Sequence, residues 1–188
     1  MEIGYVNKNS LLIPTVYRSE VLVNNEKLKL TLDNSRNIFS LNGYNNENYK
    51  FNSTFYRFFG FIVPEISNFN LNNNSIVFWS RTKSYIILTN FTLNELSPPF
   101  ENLASITDQS GGWLSFKVSG EGSLPLFEKL VTINLDTFNE GHVIRTSLNK
   151  INCFVLCKKK NESYYIICPI SFYKSMADRL KSLISLIN

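Results

Sequence analysis

A chain of 188 residues, 44% hydrophobic and 18% charged, has the apolar content for a sizeable core and too little charge for global disorder. Its net charge of +4 comes without a dense basic stripe, which argues against nucleic-acid binding, where clustered Lys and Arg neutralise phosphates. Three Cys, an odd number, argue against a disulfide framework; no apolar run approaches the roughly 20 residues that span a bilayer; and the opening residues lack the pattern of a secretory leader, so a cytoplasmic protein with no membrane partner is expected.

Residues 1–25 read as an irregular N-terminal arm. Residues 26–96 read as a first α+β half. Leu28, Leu30 and Leu32 alternate with Lys27, Lys29 and Thr31, the pattern of a half-buried strand. A second short strand runs to Gly43. Phe51, Phe55, Phe58 and Phe59 then recur on one helical face, and Gly60 is placed to end that helix. Two β-rich runs, 76–80 and 85–91, flank the polar Arg81–Lys83 and predict a hairpin.

Residues 97–104 carry Pro98 and Pro99, which predict an extended connector between two halves. Residues 105–188 repeat the order of the first half. Gly111 and Gly112 bend the chain into a strand that begins at Trp113 and ends at Gly120. A short helix follows, with Pro125 near its first turn. Residues 141–157 read as strand, turning at 158–163 into a further strand. Ser171 is the expected N-cap of a last helix, in which Phe172, Met176, Leu180, Leu183 and Ile187 share a face. The chain thus reads as an α+β fold of two related strand–helix–hairpin halves, with mixed or antiparallel sheets and helices packed on one face.

No catalytic, cofactor-binding or metal-binding residues are assigned. His142, the single His, opens a strand with no nucleophile motif beside it, and reads as a surface or interface residue. Cys153 and Cys157 share a strand face about 13 Å apart, too far for one metal ion. With Cys168 they read as buried structural thiols. Residues 119–123 lack the spacing of a dinucleotide loop and the lysine of a phosphate loop. Asp33, Asp108, Asp136 and Asp178 are dispersed, and no acidic pair suggests two-carboxylate chemistry. Asp108 and Ser110 are expected to hold backbone N–H groups at a turn rather than a substrate. Asp108, Trp113, His142 and Arg145 are the candidates for a partner interface.

Several motifs follow in a recognisable order. Thr107, Asp108 and Ser110 form a turn, and Ser119-Gly120 closes the next strand. After a helix come Thr132–Asp136, Phe138 to Gly141, and Thr146. A hairpin precedes Ser171-Phe172 at the last helix. Upstream, Gly60 to Pro64 leads to a strand pair. Over roughly residues 27–186 this order resembles the gamma-subunit family of heterotetrameric sarcosine oxidases. The sequence departs from that pattern at the hairpin turn, which lacks Gly-Pro-Asp, and at Ile170, where members often carry Arg.

The resemblance implies a fold similar to the folate-binding domain of aminomethyltransferase. It implies a non-catalytic subunit that stabilises alpha, beta and delta partners. Such a complex oxidises sarcosine to glycine, passes the one-carbon unit to tetrahydrofolate or releases formaldehyde, and produces hydrogen peroxide. FAD, FMN, NAD and tetrahydrofolate would then lie in the partner subunits, with none on this chain. The alternatives are the small subunit of the related N-methylglutamate dehydrogenase complex, or a free-standing folate-binding protein using Asp108.

Overall fold

The computed structural model describes residues 19–44 and 48–187. The elements in chain order are β1 (Ser19–Asn24), β2 (Lys29–Asp33), β3 (Asn37–Gly43), α1 (Asn48–Phe59), β4 (Phe69–Leu71), β5 (Ser75–Arg81) and β6 (Ser84–Thr89). Then come α2 (Leu93–Leu96), β7 (Ala104–Asp108), β8 (Trp113–Ser119), α3 (Ser123–Leu130), β9 (Val143–Leu148), β10 (Ile151–Lys159), β11 (Ser163–Pro169) and α4 (Tyr173–Ile184).

The strands form two antiparallel sheets. The first has the order β1-β2-β8-β11-β10-β9 and the second β4-β5-β6-β3-β7. Strand alternation explains how they stack. On β10, Cys153, Val155 and Cys157 face a core shared with α3 and α4, while Phe154 and Leu156 face the other sheet. On β6, Tyr85 and Ile87 join the core under α1, while Ile86 and Leu88 face inward. The result is four layers, helix–sheet–sheet–helix. The expected packing of helices on one face holds for each sheet separately, because each sheet's other face is covered by its neighbour. A strand buried on both faces needs no polar side, which is why 151–157 reads as an almost continuous apolar run.

Helix α1 ends where expected. Gly60 has φ of 77°, the left-handed conformation that glycine adopts without strain, and its N–H donates to the Tyr56 carbonyl at 2.8 Å. Phe51, Phe55 and Phe59 are buried beneath it, with the Phe55 and Phe59 rings 4.6 Å apart.

The two halves exchange strands. β2 leaves the first half and pairs with β8, with Leu30 opposite Val118 and Leu32 opposite Phe116. β7, at the start of the second half, returns to pair with β3, Leu41 opposite Ile106. Gly120 makes the first exchange possible. Its φ is 118°, and a Cβ there would collide with the Lys27 carbonyl as that chain enters β2.

Four local expectations are corrected. Ser19–Asn24, within the expected irregular arm, is a strand, because Val21 and Val23 pair along β2, with a register shift at Leu22 between them, and Leu22 and Val23 are partly buried. The rest of that arm, residues 1–18, lies outside the described residues. The Pro pair is not extended: Pro98–Phe100 is a single 3-10 turn. Pro98 needs no N–H at its first position, and Phe100 is buried as its anchor. Ser171 lies inside another 3-10 turn, so Phe172 rather than Ser171 stands at the α4 N-cap. Residues 141–157 are two strands, not one, because Asn149 and Lys150 both take positive φ (48° and 66°) and reverse the chain.

Candidate functional site

The turn from β7 to β8 carries Asp108 and Ser110. Asp108 is exposed, and its Oδ1 accepts the Ser110 N–H at 2.8 Å. Ser110 is buried, and its Oγ accepts the Ile38 N–H at 2.9 Å. The Gln109 N–H donates to the Ile38 carbonyl at 2.8 Å, and Gly112 accepts from the Ile170 N–H at 2.9 Å. The turn therefore fastens β3 of one sheet to the approach to α4 beyond the other. This matches the backbone-binding role expected of Asp108 and Ser110. A pterin carboxylate would have to face a cavity, whereas Asp108 lies on the exposed end of β7, an outermost strand.

The structure brings Trp113 and Arg145 together through Phe154. The Trp113 ring is 5.7 Å from that of Phe154, which is itself 5.0 Å from Phe78 of the second sheet. Arg145 is directly opposite Phe154 in the β9–β10 ladder, and its guanidinium lies 5.6 Å from the ring centroid. This is cation–π geometry, worth about 0.5–1 kcal/mol at an exposed site. Trp113 is half-buried and Arg145 exposed, so this stack is core on one side and surface on the other.

His142 belongs to a different neighbourhood. Its Nδ1, as assigned, accepts the Asn139 N–H at 3.3 Å, its N–H donates to Asn139, and it bridges to Asn68 near β4. It lines an opening of about 270 Å³ with Ser67, Phe138 and Val143. A larger cleft of about 540 Å³ lies elsewhere, beside Tyr44, Ser97, Pro98, Glu101 and Ile106. Ser67 and Thr137 share the smaller opening with His142, but the described hydrogen bond of the imidazole is to the Asn139 N–H and not to either hydroxyl. Among the described residues no group of three His, Cys, Asp or Glu side chains is arranged to hold a metal ion. Among them, too, no helix is long and apolar enough to cross a membrane.

All three cysteines are buried and free. Burial, with Glu140 nearby, pushes the Cys157 thiol up to about 11. Cys168 is raised by its hydrogen bond with Cys153 and then by burial. At a pKa of about 11 only about one Cys157 in a thousand is thiolate at pH 8. Folded protein at pH 8 is therefore expected to resist iodoacetamide, and full labelling of three thiols should appear only in denaturant; mass spectrometry before and after unfolding checks this.

One surface was legible in the sequence and not singled out there. Tyr49 and Tyr56, seven residues apart on α1, are 85% and 56% exposed. Ile62 and Ile66, on the connector after α1, are 63% and 73% exposed. That connector is pinned, because the Asn70 side chain donates to the Ile62 carbonyl at 2.9 Å and Asn72 to that of Phe59 at 2.7 Å. The helical spacing that identifies the buried Phe face also identifies the opposite Tyr face.

No family model matches the chain, and no curated protein matches it in sequence. Solved structures do match. A chain of the heterotetrameric sarcosine oxidase from Corynebacterium sp. U-96, solved with pyrrole 2-carboxylate, superposes with a TM-score of 0.75 over 88% of either chain, at 16% identity. Glycine cleavage system aminomethyltransferase T from Bartonella henselae superposes with a TM-score of 0.54 at 9% identity. That match takes in 77% of this chain but 42% of the other, so this chain spans less than half of that protein. The α+β fold is thus shared with both.

Proposed function

We propose that this chain is a non-catalytic, gamma-type subunit of a cytoplasmic flavin-dependent sarcosine oxidase complex. One observation carries the reading: the fold follows a chain of a heterotetrameric sarcosine oxidase over 88% of both lengths. Two features support it. The imidazole of the one histidine accepts a turn N–H and lies near the Phe138 ring, and the thiols are buried, which fits a chain that leaves the chemistry to its partners. The exposed Tyr49, Tyr56, Ile62 and Ile66 offer apolar contact area that a larger partner would cover.

On this reading the complex converts sarcosine to glycine, hands the one-carbon unit to tetrahydrofolate or releases formaldehyde, and yields hydrogen peroxide. FAD, FMN, NAD and tetrahydrofolate are held by alpha, beta and delta partners. The role of this chain is to hold those partners in a stable assembly. A free-standing folate protein is the weaker reading, because its one named carboxylate, Asp108, is exposed and accepts a turn N–H.

The test is to recover the tagged chain from its own cells. Larger chains, a flavin spectrum and sarcosine-dependent peroxide are expected with it. Peroxide from a different methylated amine would keep the subunit role and change the substrate, as in the N-methylglutamate alternative. A lone, colourless chain would overturn the reading. Tyr56→Asp combined with Ile62→Asp is expected to release the partners while the melting temperature of the isolated chain stays within a few degrees, since both side chains are exposed.

A further inference from the structure

β7 is the last strand of the second sheet, paired with β3 on one side only. The ladder fixes which of its backbone groups face outward. The Tyr44 N–H donates to the Leu103 carbonyl at 2.9 Å, and the Gln109 N–H to the Ile38 carbonyl at 2.8 Å. Leu41 stands opposite Ile106 in the same unbroken register. Bonded and non-bonded pairs alternate along an antiparallel ladder. Leu103, Ser105, Thr107 and Gln109 therefore turn their N–H and C=O groups toward β3, while Ala104, Ile106 and Asp108 turn theirs away from it. Among the described residues no hydrogen bond reaches those outward groups.

An open edge is a template for another strand, and folded proteins blunt it with short strands, bulges, charges, Pro or cover. The other three edges carry such devices. β4 has only three residues and is tied toward β9, the Phe69 N–H donating to the Gly141 carbonyl at 2.8 Å. β9 carries the exposed Arg145, and its Val143 N–H donates to the Ser67 carbonyl at 2.7 Å. β1 shifts register at Leu22. β7 has no bulge, Pro, Lys or Arg, and its one charge is Asp108, the last residue.

The cleft of about 540 Å³ adjoins this edge. Ala104 and Ile106 line it and Ser105 and Thr107 do not, so it lies on the face of β7 that packs under α1. Its other walls are Tyr44, 50% exposed, and the turn around Pro98. Glu101 is the one charged group in the lining, and no Lys or Arg balances it there. Asp108, also exposed, stands at the other end of β7 on the same strand face.

We propose that the β7 edge binds an extended segment of another protein chain by strand addition, with apolar side chains of that segment in the cleft and a basic residue at each end. Main-chain hydrogen bonds to Ala104, Ile106 and Asp108 supply the pairing, and the cleft selects alternate side chains. The residues opposite Ala104 and Ile106 share their face and so point to the cleft side. The basic ends meet Glu101 and Asp108. Those acids also decide against a second copy of this chain. Two β7 strands paired antiparallel about Ile106 would set each Asp108 opposite the other's Ala104, at the Glu101 end, acid against acid. The site does not rest on the subunit reading, because edge, cleft and acids all belong to this chain.

The test titrates the full chain with the end-blocked peptide Lys-Thr-Val-Thr-Ile-Thr-Lys and with its counterpart carrying Glu in place of Lys. Saturable binding of the Lys peptide is expected by NMR, with a dissociation constant of about 1 mM or below, and several-fold weaker binding of the Glu peptide. Amide exchange, read residue by residue, distinguishes strand addition from loose contact. With peptide at about ten times its dissociation constant the open edge is about tenfold rarer. The outward amides of Ala104, Ile106 and Asp108 should then exchange up to about tenfold more slowly. Ser105 and Thr107, already bonded to β3, should change little. Ile106→Pro removes an outward N–H and leaves the ladder to β3 intact, and should weaken binding about tenfold. Glu101→Gln, at an exposed carboxylate, should weaken the Lys peptide about two- to fivefold. If Ile106→Pro does not fold, Glu101→Gln and the exchange pattern of the parent chain still decide. No binding, equal binding of the two peptides, or binding that leaves the outward amides unprotected would overturn the proposal. So would protection of those amides on raising the protein concentration alone, which would make the occupant a second copy.

Discussion

A chain cut into residues 1–103 and 104–188 and produced as separate pieces is expected to give two unfolded pieces that fold when mixed. The reason is the strand exchange. Piece 104–188 keeps β8–β11, α3 and α4 but loses Leu28 and the β2 that follows it, and Leu28, Leu30 and Leu32 are 0–2% exposed in the core beneath those helices. Fully burying a leucine contributes about 1.5–3 kcal/mol, so losing the three removes on the order of 5–9 kcal/mol. A domain's whole stability is only about 5–15 kcal/mol. β8 would also become an open edge with an unpaired row of N–H and C=O groups. Piece 1–103 loses β7 and the Ser110 and Gln109 contacts to Ile38. Circular dichroism and amide dispersion of each piece, alone and mixed, decide the matter. A cooperative melt of 104–188 alone would show that β2 is dispensable and that the halves are independent.

That exchange also marks the limit of what the residues disclose one segment at a time. The Leu alternation of β2, the Phe spacing of α1, the Gly60 stop and the β5–β6 hairpin are local patterns, and each was legible. Which strand pairs with which is not local. β2 and β8 are separated by the whole of the second sheet, β3 to β7, and nothing in "KLKLTLD" names Phe116 as the partner of Leu32. β1 was hidden for a related reason: six residues with an alternating exposed edge gain strand character only by pairing with β2. The Pro pair was read as an extended connector and is instead a 3-10 turn, which the burial of Phe100 selects.

The candidate site divides the same way. Asp108 with Ser110 two residues on is a local turn signature, and the hydrogen bonds follow it. The three cysteines read correctly as buried, but the Cys153–Cys168 contact depends on the β10–β11 register. The Trp113–Phe154–Arg145 stack needs that register and the reversal at Asn149-Lys150.

Phe154→Ala should separate the two roles folded into that stack. Phe154 touches Trp113, Phe78 and the Arg145 guanidinium, and sits in the core between the sheets at 6% exposure. Its truncation leaves a cavity between two layers that β-sheet backbone cannot readily collapse, and about 3–5 kcal/mol of stability should be lost. Arg145→Ala removes only an exposed cation–π contact and should cost less than about 1 kcal/mol. Urea denaturation gives both numbers. The same variants then test docking by co-recovery of partner chains. If Arg145→Ala keeps the denaturation midpoint and loses the partners, the guanidinium presented by Phe154 is part of the interface. If partners are lost only in proportion to stability, as with Phe154→Ala, the stack is core that happens to reach the surface. Docking would then rest on the Tyr49–Tyr56 face of α1 and on Ile62 and Ile66.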